Sequence, residues 1–190
     1  MRFTLTYTGD LRANARPDHK HQLRKSFHAQ LRNLWQQEPL VDKRKWFDGS
    51  NEKTSIDLNR KVGSFRFIPL VSPDLHLICE LQIFMLRPEP PGAIITQGGD
   101  IDNRLKTLFD ALRCPHNEAE LPTGISPEAD EDPFFCLLED DLLITSVSVK
   151  TDRLLAPSQS TAEVHLDIQV ETQLTRMMVG NRVVGGFSLP

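Results

Sequence analysis

Gly99-Asp100-Ile101-Asp102-Asn103-Arg104-Leu105-Lys106-Thr107-Leu108-Phe109-Asp110-Ala111-Leu112 is the stretch on which the reading of this chain turns. Ile101, Leu105, Leu108, Phe109 and Leu112 recur at helical spacing, which predicts a helix over 101–113 with one apolar face. Asp102, Lys106 and Asp110 recur at four-residue steps and form a charged stripe. At roughly 100° per residue that stripe lies beside the apolar face rather than opposite it. Asp102 and Lys106 are therefore expected at the edge of the core, partly shielded from water. Asp100 follows Gly98-Gly99 and reads either as the helix N-cap or as a second carboxylate that holds a cation with Asp102.

Further along, Asp140-Asp141 precedes Leu142-Leu143-Ile144-Thr145-Ser146-Val147-Ser148-Val149, whose β-branched content and partial alternation predict a strand. Three carboxylates from two elements, together with one lysine, suit one or two magnesium ions. Such an ion polarises a phosphoryl oxygen and lowers the pKa of a bound water. Lys106 would stabilise negative charge developing on a phosphate. Plainer readings exist for each part: Asp100 as a cap, Asp102 and Lys106 as a surface i,i+4 pair, Asp140-Asp141 as a turn.

The string Asp-x-Asp-Asn-x-x-Lys-x-x-x-Asp-Ala-Leu over 100–112, with the later Asp140-Asp141, resembles the RusA family of Holliday junction resolvases. The resemblance is close over 100–112 and looser over 139–150. It implies an α+β, RusA-like endodeoxyribonuclease fold, a homodimer, and magnesium-dependent cutting of branched DNA in recombination and repair, with manganese as a substitute ion. It implies that Asp100, Asp102 and Asp141 bind the metal, with Asp140 as the neighbouring acid, and that Lys106 is the catalytic lysine. Asn103 and Asp110 then support the helix start and its packing. The chain departs from the family in three places. Its first residues, Arg2-Phe3-Thr4-Leu5-Thr6-Tyr7-Thr8-Gly9, lack the short early segment rich in proline and asparagine that the resemblance implies. Pro88-Glu89-Pro90-Pro91-Gly92-Ala93-Ile94-Ile95-Thr96-Gln97, ahead of the motif, is not basic, and the connection from Arg113 to Phe134 is long. These departures keep two alternatives open: a non-catalytic nucleic-acid-binding protein on the same scaffold, and a protein-interaction module that uses the acidic connection.

At 190 residues and 21.6 kDa the chain suits a single domain with a sizeable core. No apolar run is long enough to span a membrane, and no organic cofactor is expected. Cys79, Cys114 and Cys136 lack CxxC spacing, which points to reduced thiols in a cytoplasmic protein, with Cys79 and Cys136 as small buried hydrophobes. The net charge of −4 hides an asymmetry: residues 1–66 carry 14 Lys and Arg against 7 Asp and Glu, and the remainder carries 8 against 19. A basic N-terminal part can attract phosphates although the total is negative.

Outward from the motif, residues 2–8 alternate as a half-buried strand. A helix is expected over 18–37, capped by Asp18, with Leu23, Phe27, Leu31 and Leu34 buried. Its adjoining face carries His21, Lys25, His28 and Arg32 and reads either as a phosphate-tracking stripe or as a solvated face. The two histidines are too far apart for one metal ion. Lys43-Arg44-Lys45 before Trp46-Phe47 reads as a weak DNA contact or as a loop that the aromatics anchor on the core. Residues 62–72 and 75–86 are expected to form a hairpin around Ser72-Pro73-Asp74, and 162–173 a further strand. Residues 114–132 hold six acids and no Lys or Arg, and read as a flexible acidic insertion. Such an insertion either mimics phosphate charge or is a passive surface excursion. The expected fold is a mixed or antiparallel sheet of about five strands packed against two main helices.

Overall fold

The computed structural model describes residues 1–48, 56–89, 101–157, 160–178, 180–182 and 184–185. The mixed α+β class holds, but the strands form two sheets. Strand β1 (Arg2–Asp10), β4 (Leu77–Arg87), β6 (Ile144–Arg153) and β7 (Glu163–Leu174) make a four-stranded sheet in the order β1-β7-β4-β6. Strand β2 (Arg60–Val62), β3 (Phe65–Val71) and β5 (Phe134–Leu138) make a second sheet in the order β2-β3-β5. Helix α1 (Pro17–Leu34) packs on β1, β5 and α2 (Ile101–Leu112).

Alternation decides which strands are covered on one face. In β4, Leu77, Cys79, Leu81, Ile83 and Met85 are buried while Glu80 and Phe84 lie on the half-exposed outer face. Strand β3 is buried at every position except Arg66, and β5 at every position, as expected for strands enclosed on both faces. Helix α1 starts one residue earlier than the cap signal suggested. Pro17 takes the first turn, where its missing N–H costs nothing, and Asp18 lies within that turn rather than at the cap.

The expected hairpin of residues 62–72 and 75–86 does not form. Strand β3 pairs with β2 and, in parallel, with β5, whereas β4 pairs with β7 and β6. The turn at 73–75 is real, capped by Ser72 Oγ accepting from the Asp74 N–H, but it is a corner between sheets.

Directions along the sheet place the motifs. Strands β1 and β4 both run antiparallel to β7 and hence parallel to each other. Their far ends, Asp10 and Arg87, share one end of the molecule. Helices α1 and α2 run back from that end side by side, through contacts of Ala15 with Thr107, Lys20 with Asp110, and Arg24 with the Arg113 carbonyl. Strand β5 finishes at the opposite end, where the Glu139 N–H donates to the Val71 carbonyl and β6 begins beside Cys79. No helix among the described residues is long and apolar enough to cross a membrane.

Candidate functional site

Asp102 is exposed in the first turn of α2, where a carboxylate suits the positive end of the helix dipole. Its Oδ1 accepts from the Asn103 N–H at 2.8 Å. Lys106 is exposed one turn later and makes no ion pair among the described residues. Its side chain lines a polar cleft of about 170 Å3 with Asn14, Lys20, Asn103, Thr107 and Asp110. Asn103, Lys106, Thr107 and Asp110 recur at three- and four-residue steps, so one stripe of α2 forms this wall. Asp100 lies outside the described residues.

The floor of the cleft is an ionic lattice. Asp110, only 8% exposed, accepts from Lys20 Nζ at 2.7 Å and from Arg113 Nη2 at 2.9 Å. Burial alone would raise its pKa; Lys20 and Arg113 outweigh it and hold the carboxyl below the ordinary range. Arg24, fully enclosed between the helices, donates to the Asp110 carbonyl at 2.8 Å. Arg113 also pairs with Glu120 at 2.9 Å. Asp110 therefore fastens α2 to α1.

Asp140 and Asp141 lie elsewhere. Asp140 caps the turn 141–143: its Oδ1 accepts from the Leu142 N–H at 2.8 Å, and its Oδ2 meets His116 Nε2 at 3.0 Å. The Leu142 N–H first, and His116 after it, hold the Asp140 carboxyl below its usual value against the opposing effect of burial. Asp141 is exposed beside it. This corner borders a cavity of about 650 Å3 lined by Arg60, Lys61, His116, Glu139, Asp140 and Leu142, among others. Arg60 bridges Glu139 at 2.8 Å and Asp74 at 2.7 Å, which raises its pKa further.

These two places are far apart. From Asp102 to Leu112 the helix axis advances about 15 Å at 1.5 Å per residue, and His116, the partner of Asp140, lies beyond that end. The strand register leads to the same separation. Asp141 precedes Ile144, which pairs with Cys79, whereas Arg104 of α2 reaches Glu89 just past Arg87. From Cys79 to Arg87 a strand rises about 26 Å at 3.3 Å per residue. The structure thus does not bring Asp141 to Asp102, and no group of three or more His, Cys, Asp or Glu among the described residues is arranged to hold a metal ion. Magnesium commonly binds through one or two carboxylates, completing its shell with waters and substrate phosphates. The exposed Asp102 carboxylate fits that partial role, and a cage shared with Asp141 does not.

The basic stripe of α1 is occupied by the chain's own acids. Lys25 pairs with Glu128 at 2.6 Å and with Glu131 at 2.8 Å, and Arg32 pairs with Asp130 at 2.9 Å. His21 and His28 are not on a solvated face; both are buried among Phe65, Phe134 and Phe135. Residues 114–132, expected as a free acidic excursion, are fastened at Arg113–Glu120, at Arg66–Asp132 and by the buried Leu121 and Glu131. In the Lys43-Arg44-Lys45 cluster, Lys43 Nζ stands 5.9 Å from the Trp46 ring centroid. Arg44 and Lys45 are exposed, and Trp46 and Phe47 anchor the segment in the core. All three cysteines are buried and free.

Sequence reasoning missed Asn14, Lys20 and Arg24 as neighbours of the motif, and His116 as the partner of Asp140. Pairing across 90 residues, as between Lys20 and Asp110, leaves no periodic trace. No family model, curated protein or solved structure matches this chain.

Proposed function

We propose that this protein is a RusA-like, metal-dependent endonuclease that hydrolyses phosphodiesters in branched DNA as a homodimer, with its reactive site at the N-terminal end of α2. The observation that supports this reading is the pairing of Asp102 and Lys106 on successive turns of one helix. Both are exposed, neither forms an ion pair among the described residues, and Lys106 borders a small polar cleft. Lys106 supplies a cation to a phosphate held there, and the N–H groups at the start of α2 add to that attraction. The Lys20–Asp110–Arg113 lattice fixes the helix that carries both groups, which limits how far Lys106 moves relative to α1. Magnesium, or manganese in its place, would be held by Asp102 with Asp100 and would supply polarisation of a phosphoryl oxygen and a water of lowered pKa.

A second reading, a DNA-binding protein on the same scaffold that does not cut, is favoured by one observation: Asp141 stands apart from Asp102. The deciding experiment incubates the purified protein with four-way junction DNA, with and without Mg2+. The proposed activity gives nicked product only with the ion. Lys106→Ala lowers kcat more than it weakens DNA binding. Equal loss of both removes the role given to Lys106, and salt-sensitive binding without any metal-dependent product establishes the second reading.

A further inference from the structure

Lys25 and Arg32 of α1 and Arg66 of β3 lie along one surface, and each is met by a different acid of a single short segment. Glu128 and Glu131 take Lys25, Asp130 takes Arg32, and Asp132 takes Arg66 at 2.9 Å. The four acids are not equivalent. Glu131 is 2% exposed and accepts the Glu128 N–H through its Oε2 at 2.9 Å, so it closes the turn from within. The side chains of Glu128, Asp130 and Asp132 are 68%, 60% and 58% exposed. Exposed pairs of that kind contribute little to folding. The cations they cover are themselves about one third exposed, so another anion can reach them. A row of three cations from two elements, each holding one surface carboxylate, has the chemistry of a phosphate-backbone contact occupied by a stand-in.

We infer that the surface formed by Lys25, Arg32 and Arg66 binds a nucleic-acid backbone, and that Glu128, Asp130 and Asp132 are its resident competitor. Binding requires the three exposed carboxylates to give up their cations, while Glu131 keeps the turn in place. The surface is separate from the α2 cleft. It rests on the proposed function only for the identity of the polyanion.

The test measures binding of a labelled single-stranded DNA by fluorescence anisotropy across a salt series in EDTA, so that cutting plays no part. The triple variant Glu128→Gln, Asp130→Asn, Asp132→Asn is expected to bind more tightly at low salt. Its log–log salt dependence should steepen by up to about 1.4, from Arg32 and Arg66 at about 0.7 each for a single strand, because Lys25 keeps Glu131 at 2.8 Å. Adding Lys25→Gln, Arg32→Gln and Arg66→Gln should abolish the gain. The variant Asp152→Asn, Asp167→Asn, Glu171→Gln changes the net charge equally on the outer face of the four-stranded sheet, away from α1 and β3, and should leave the slope as in the wild type. Wild-type binding by the first variant overturns the inference, as does an equal gain in the distant variant or a gain that survives loss of the three cations. If the triple variant does not fold, Asp130→Asn alone gives the same readings with one freed cation in place of two.

Discussion

Asp110→Ala tests whether the motif's third acid holds the scaffold together rather than touching substrate. The substitution removes the acceptor of Lys20 at 2.7 Å and of Arg113 at 2.9 Å. Breaking a buried ion pair by deleting one partner costs about 3–5 kcal/mol, because the remaining charge stays buried. Two features bring the value to the low end. Arg113 retains Glu120 and the Cys114 carbonyl, both at 2.9 Å, and the Lys20 side chain is 25% exposed and reaches water. A loss of about 3 kcal/mol is expected at pH 7, a large share of a typical domain's 5–15 kcal/mol. The pH dependence carries a sign. Lys20 and Arg113 hold the folded Asp110 carboxyl below its ordinary value despite burial. Its contribution is therefore present above the unfolded pKa of about 3.9 and is lost as pH falls through the folded value. Urea unfolding at neutral and at acid pH should show the gap between wild type and variant closing in acid, with an unchanged m value. A loss below about 1 kcal/mol at pH 7, the level of an exposed pair, refutes the reasoning. So does a gap that acid leaves intact.

His21 is 2% exposed, and neither ring nitrogen finds a partner among the described residues. Burial, aided by Arg24, lowers its pKa to about 4. The unfolded chain takes up a proton near pH 6.5 and the folded one only near 4, so stability should fall as pH drops through that window, by on the order of 3 kcal/mol. His21→Phe, which keeps a ring packed edge-on to Phe65 and tilted against Phe134, should flatten this slope in denaturant titrations, and an unchanged slope would show that the proton enters elsewhere. Asp141→Asn should leave junction cutting within about tenfold of the wild type, roughly 1.4 kcal/mol of barrier, since that carboxylate sits at the far corner. A loss as deep as that of Asp102→Asn in the same assay contradicts the separation.

Elements with a clear period were legible in the sequence. Strand β1, helix α1, helix α2 and strand β7 follow alternation or the helical repeat, and each lies within a few residues of its expected span. Strand β5, Phe134–Leu138, was missed because an enclosed strand has no alternation, only a short apolar run between an acidic segment and Asp140. The hairpin at Ser72-Pro73-Asp74 was misread for a related reason. A turn signal is local, whereas the choice of β5 as the neighbour of β3 is made across the chain. The stripe of Lys106 and Asp110 on α2 could be read directly, but its register against α1 could not. The acids of 128–132 looked unpartnered because Lys25, Arg32 and Arg66 are distant in sequence. The partner of Asp140 was hidden for the same reason, since nothing near it announces His116.

Comparing wild type with Asp102→Asn in Mg2+-dependent nicking of four-way junction DNA, with affinity for the junction measured in parallel without the ion, tests the proposed site most directly. The start of α2 as the reactive site predicts that the variant loses nicking and keeps its affinity. Nicking at the wild-type rate by Asp102→Asn contradicts it.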